Sequence, residues 1–186
     1  IYFYKKIILK TSCIILGLIF FSVSSLEAQK YYYHQFEGGG AYGFTMPHRS
    51  SMSYLVKSHF AAVNLAYSLK TDGSQPWHHE WRFPEIGIGY LITGLSNINV
   101  FGFAQSLYGF YSIPIYESDN LIFKYRFGTG FAYLTEKFNH RSNYYNNVIG
   151  SHFNSHIHFS VLIDYKLPNI PLYFSAGLAF NHFSNA

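Results

Sequence analysis

The chain has 186 residues, of which 49% are hydrophobic, 21% aromatic and 12% charged, with a formal charge of +4. Half the usual charged content, with 19 Phe and 18 Tyr, excludes a disordered chain and a coiled coil. The single Cys13 excludes a disulfide scaffold, and no basic run longer than Lys5-Lys6 offers a footprint for nucleic acid.

The first segment reads as an address. Lys5, Lys6 and Lys10 form a positive region, and Cys13 to Val23 is an apolar run too short to span a bilayer comfortably as a helix. Leu26-Glu27-Ala28 then places a small residue before Gln29, the order of a secretory signal peptide over residues 1–28. An N-terminal membrane anchor is the competing reading. Cys13 opens the apolar run rather than following it, so it is not placed as a lipoprotein cysteine. Cleavage after Ala28 leaves ten Lys and Arg against eight Asp and Glu, a mature charge of +2. Residues 29–186 are expected to form one extracytoplasmic domain.

That domain reads in twos. Gln35 to Phe44 places Glu37, Gly39, Ala41 and Gly43 on one face. His59 to Leu69 alternates Ala61, Val63, Leu65, Tyr67 and Leu69 against Ala62, Asn64, Ala66 and Ser68. Glu85 to Ile92 sets Ile86, Ile88, Tyr90 and Ile92 against Glu85, Gly87 and Gly89. Val100 to Ile113 is a weaker strand, with Phe101, Phe103, Leu107, Tyr111 and Ile113 against Gly102, Ala104 and Ser106. Leu121 to Leu134 is the clearest: Leu121, Phe123, Tyr125, Phe127, Thr129, Phe131 and Tyr133 oppose Ile122, Lys124, Arg126, Gly128, Gly130, Ala132 and Leu134. His156 to Lys166 places Ile157, Phe159, Val161, Ile163 and Tyr165 opposite His156, His158, Ser160, Leu162, Asp164 and Lys166. The seventh strand runs from Leu172 to the end.

In a secreted sandwich the aromatic faces would point inward. In an outer-membrane barrel they face lipid, and the small and polar residues fill the interior. Strands of about ten residues or more, long enough to cross at a tilt, favour the barrel, as does the export signal. Single-chain bacterial barrels of this kind carry even strand numbers, and a free sheet edge is costly in lipid. The expectation is therefore an all-β, eight-stranded antiparallel outer-membrane barrel, with an eighth strand beyond Ala186. Side chains just fill a barrel of that size, so it is no open pore.

With the mature N-terminus in the periplasm, the links after strands one, three, five and seven are expected to face outward. The long polar link from Thr135 to about Ser151 suits an outer loop. The short links Pro114 to Asn120 and Leu167-Pro168-Asn169-Ile170-Pro171 suit periplasmic turns. Lys70 to Pro84 is long for a periplasmic turn; its Trp77 and Trp81 fit an interfacial girdle.

Strand seven ends Asn181-His182-Phe183-Ser184-Asn185-Ala186. His182 and Ser184 continue the outward apolar face of Phe174, Ala176, Leu178 and Phe180. Residues two apart on a strand lie about 7 Å apart, and side chains lean along the strand, so an imidazole can approach a hydroxyl. A His beside a Ser is the unit that activates a nucleophile. Polar groups facing lipid are expensive and mark function, although His and Ser are cheap where a strand emerges among headgroups.

This ending resembles the His-x-Ser-Asn motif of the outer-membrane lipid A 3-O-deacylases and of bacterial relatives described as acyloxyacyl hydrolases. Pro47-His48-Arg49 with Met52 and Leu55, then Pro84 and Gly87, also look like that group. The similarity covers most of residues 31–186, and the terminal motif is its specific part. The resemblance implies an eight-stranded barrel with its active site on the lipid-facing wall. It implies Ser184 as nucleophile, His182 as base, an acid on the following strand, and Asn185 as an oxyanion candidate. It implies lipid A or lipopolysaccharide as substrate among outer-membrane lipids, with neither cofactor nor metal, and admits a homodimer. The rivals are a non-enzymatic small barrel, adhesin-like or structural, and the secreted sandwich.

Other clusters point elsewhere. His78-His79-Glu80 would diverge on a strand, which suits a girdle or loop better than a metal site. His156, His158 and Asp164 share the interior face, where a buried polar network with Lys124 and Arg126 is expected ahead of a metal. Gly38-Gly39-Gly40 precedes no helix signal and so forms no nucleotide loop.

Overall fold

The computed structural model describes residues 33–47 and 50–184. The expected signal peptide lies outside the described residues. Seven antiparallel strands form one sheet in chain order: β1 (Tyr33–Gly43), β2 (Phe60–Lys70), β3 (Glu85–Gly94), β4 (Phe103–Glu117), β5 (Leu121–Leu134), β6 (Phe153–Lys166) and β7 (Tyr173–Ser184). Each strand pairs with the next, and among the described residues β1 and β7 remain the two edges. The sheet curls into a half-barrel. Arg126 on β5 reaches across the concave side to Glu37 on β1, its Nη1 and Nη2 2.9 and 2.6 Å from the two carboxylate oxygens.

The curl is inside-out relative to a soluble protein. Lys124, Arg126, His156, His158, Ser160 and Asp164 are buried on the concave side. Phe127, Phe131, Phe153, Phe159, Ile163 and Leu178 are exposed on the convex side, Phe131 at 78% and Leu178 at 82%. Phe123 and Tyr125 alternate outward with them. The sandwich reading, which needs these rings inside, is thereby excluded. A convex wall of this kind far exceeds the apolar patches that soluble surfaces carry, and marks a membrane or partner surface.

Small residues make room for the interior. Tyr108 on β4 is 1% exposed, and its ring lies over both Gly89 and Gly128. A Cβ at Gly128 would stand 2.8 Å from Tyr108 Cδ2, and one at Gly89 would overlap the ring outright. Overpacking a fixed ring costs about 1–3 kcal/mol or more. Gly89→Val should therefore lower the denaturant midpoint of the barrel, and a midpoint equal to the parent's would show that Tyr108 can move aside.

Ionic groups hold the concave face together. Lys124 Nζ lies 2.9 Å from Glu85 Oε2 and 2.7 Å from Asp164 Oδ2, joining β3, β5 and β6. The Arg126 guanidinium also lies over the Phe110 ring, 4.0 Å from its centroid, and donates from Nε to Ser112 Oγ at 2.8 Å.

The links segregate. At one end, here the upper, lie 44–47 and 50–59 with α1 (Ser50–Ser53), 95–102 with α3 (Ile98–Phe101), and 135–152. Leu55, Phe101 and Ile149 from these links pack on Ala104, Ala132 and Leu134 of the strands. Asn97 Nδ2 donates to Leu55 O, and Asn143 and Asn146 both donate to Val100 O, so the three links brace one another. At the lower end, 71–84 contains α2 (Pro76–Glu80), while 118–120 and 167–172 are tight. Asn169, at φ 65°, takes the left-handed conformation that Asn tolerates in a turn.

Some strand bounds differ from the sequence expectation. β4 starts at Phe103 because Val100 and Phe101 belong to α3, which ends at Gly102 with φ 69°. It then continues through Pro114, where the ladder shifts register between Pro114 and Tyr116. A bulge accommodates a proline that a regular central strand would reject. β6 starts three residues before His156, at Phe153.

Candidate functional site

The end of β7 carries the candidate site, and its facing follows from its neighbours. Asn181 Oδ1 lies 3.0 Å from His156 Nε2 and 2.8 Å from His158 Nδ1, both on the concave side. Phe183 stacks on His156 with ring centroids 4.8 Å apart. Strict alternation then sends His182 and Ser184 to the convex wall, where both are exposed. Phe180, two residues before, stacks parallel to the His182 ring with centroids 6.5 Å apart. No hydrogen bond joins His182 to Ser184 in this arrangement of the described residues. Asn185 lies outside the described residues.

The register supplies the surroundings. Ile157 pairs with His182, and Ser155 pairs with Ser184. Across the next strand, Thr129 pairs with Ile157 and Phe131 with Ser155. Ser155, His182 and Ser184 thus form a small polar island, with Thr129 one strand further on behind Ile157, in a wall otherwise built of Ile157, Phe127, Phe131, Phe153, Phe159 and Phe180. The island sits at the upper end, beside the braced links. Ser155 lies before His156, where the alternation expected from the sequence begins, and joins the strand only because β6 starts at Phe153. Its signal was a serine at an outward position between Phe153 and Ile157.

The other sequence candidates resolve into supporting roles. His78 and His79 lie on α2 rather than on a strand. His78, 2% exposed, has Nδ1 3.2 Å from Asp72 Oδ1, and His79 Nε2 bonds to Gly73 O at 2.9 Å. Hydrogen bonding from the Ser74 backbone N–H, at 3.0 Å, holds the Asp72 carboxyl below its ordinary range. Trp77 and Trp81 in the same link are partly exposed, at the lower end. The expected interior network divides in two: His156 and His158 bond to Asn181, Ser106 and Ser160, whereas Asp164 belongs to Lys124. Among the described residues no three His, Cys, Asp or Glu side chains cluster as a metal site.

The family model for Lipid A 3-O-deacylase (PagL) matches residues 61–186, more than half of the chain. This chain belongs to the lipid A 3-O-deacylase (PagL) family. The match takes in β2 to β7 and the whole polar island, while Pro47-His48-Arg49 and β1 fall before it. No curated protein and no solved structure matches the chain. Membership supports a lipid A deacylase and implies lipid A as the substrate.

Proposed function

We propose that this protein is an outer-membrane serine esterase that hydrolyses the 3-O-linked acyl ester of lipid A. The observation that carries the reading is the outward projection of His182 and Ser184 from the upper end of β7 into an apolar wall. A soluble esterase would bury such a pair in a cleft. A lipid whose esters sit at the level of the headgroups meets it sideways, from within the membrane. Export by the signal peptide expected over residues 1–28, with the upper end outside, would bring the pair to the outer leaflet, where lipid A resides.

In this reading Ser184 Oγ attacks the ester carbonyl while His182 takes the hydroxyl proton. The tetrahedral intermediate collapses, and His182 returns that proton to the departing sugar oxygen. An acyl-Ser184 ester remains. Water, deprotonated by His182, then releases the fatty acid and restores the serine. An acidic side chain that orients the His182 tautomer belongs to this scheme, on an eighth strand pairing with the β1 and β7 edges. Asn185, next to the nucleophile, is the oxyanion candidate. The scheme uses no metal and no cofactor.

The test is mass spectrometry of lipid A from outer membranes that express the full-length protein. Loss of one ester-linked hydroxyacyl chain supports the reading. Retention of every acyl chain, across several lipid A types and with the folded barrel present, overturns it in favour of a non-enzymatic small barrel.

A further inference from the structure

The convex face of β7 bears the proposed chemistry, but its concave face is nearly bare. The inward residues from Ser175 to Ala179 are Ser175, Gly177 and Ala179, none large enough to anchor the strand. Both faces are exposed from Tyr173 to Phe180, and burial begins only at Asn181 and Phe183. These two side chains flank His182 in the chain.

Each is gripped by the partner directly across the ladder. Asn181 pairs with His158, and Phe183 with His156. Asn181 Oδ1 accepts from both rings, which makes His156 the Nε2–H tautomer and His158 the Nδ1–H tautomer. Their remaining nitrogens then accept: His156 Nδ1 from Ser106 Oγ at 2.6 Å, and His158 Nε2 from Ser160 Oγ at 3.1 Å. Tyr108 packs edge-on to His156 and tilted against His158, with centroids 5.2 and 4.9 Å away. Ser106, Tyr108 and His156 are each at most 1% exposed. The chain of bonds therefore runs from β4 through β6 to one side-chain oxygen on β7, and ends there.

We propose that Asn181 is a positioning residue for the esterase unit, acting through the backbone of β7 to set the direction of His182 and Ser184. This rests on the function proposed above. On a strand, the inward and outward side chains share one backbone, so a fixed Asn181 and Phe183 fix the plane from which His182 and Ser184 depart. Catalytic groups must be held to about 0.5 Å, and a displacement of about 1 Å costs on the order of a hundredfold in rate. Asn181 faces away from the lipid and touches no substrate, so its loss acts on turnover and leaves binding alone.

The experiment uses the full-length protein in detergent micelles, with the folded fraction read from electrophoretic mobility without heating. A fluorophosphonate probe labels an activated serine without requiring lipid A. Asn181→Leu keeps the volume and removes the acceptor. It should lower kcat about ten- to a hundredfold with KM within about twofold of the parent, and slow Ser184 labelling per folded barrel in parallel. Asn181→Asp, which restores an oxygen acceptor, should recover most of both. A merely structural role would change the folded fraction and leave the labelling rate of folded molecules as it was; that result overturns the proposal. If Asn181→Leu yields no folded barrel, His158→Phe, which keeps the ring and removes its N–H, is measured in the same way and judged by the same criterion. A parent protein that is not labelled at Ser184 overturns the esterase reading itself, a result distinct from labelling that is equal in parent and variant.

Discussion

Ser184→Ala in the full-length protein should leave lipid A fully acylated, with activity lower by at least about a thousandfold, and His182→Ala should do nearly the same. The double variant should be scarcely worse than either single one. A nucleophile and its base act as one unit: without the base the hydroxyl is a poor nucleophile, and without the hydroxyl the base has nothing to activate. Independent contributions would instead multiply. The barrel should be indifferent to both changes, because His182 and Ser184 face outward and neither bonds to the concave network. Unheated electrophoretic mobility and membrane insertion should therefore match the parent. Lipid A mass spectra and the folded fraction, taken on the same membranes, separate chemistry from folding. Deacylation that persists in Ser184→Ala would refute the nucleophile assignment. A double variant that loses the product of the two single losses would refute their action as a unit.

The facing of every strand was legible because one period governs the whole domain. Along Leu121 to Leu134 and His156 to Lys166 every aromatic ring of Phe or Tyr keeps one parity and every charged side chain the other, so aromatic-out and charged-in is the assignment that a barrel permits. His182 and Ser184 were legible for the same reason, as polar residues in phase with Leu178 and Phe180. What escaped is what alternation along one strand does not contain. Register is a relation between two strands, so the meeting of Asn181 with His156 and His158, and of Ser155 with Ser184, required the folded sheet. The upper links were illegible for a related reason. Leu55, Phe101 and Ile149 are far apart in sequence and carry no common period, yet they share one apolar cluster. Pro114 looked like a strand end because proline forfeits a ladder bond. The bulge beside it shows how the strand continues.

Lys124→Met is expected to be the most damaging substitution on the concave face, costing about 3–5 kcal/mol of barrel stability. The lysine is 4% exposed and stands between two carboxylates, Glu85 and Asp164, that are each 5% exposed. Methionine matches its length and apolar stem, so packing is largely kept and the loss is one of charge. Two buried carboxylates would then face each other without a cation between them. Asp164 is poorly placed to absorb this, since its Oδ1 is buried with no hydrogen-bond partner among the described residues, and Oδ2 depends on Lys124. Arg126 offers little relief, because its guanidinium is committed to Glu37 and Ser112. The cost should therefore be largely recovered when the carboxylates are neutralised as well. Lys124→Met combined with Glu85→Gln and Asp164→Asn should lie well above Lys124→Met alone, a non-additivity that marks a coupled network. Guanidinium unfolding in lipid vesicles, followed by the fluorescence of Trp77 and Trp81, measures all three proteins. A single variant with the parent's midpoint would mean that the carboxylates find water or another cation. A triple variant no better than the single one would mean that Lys124 stabilises the sheet through its stem rather than its charge.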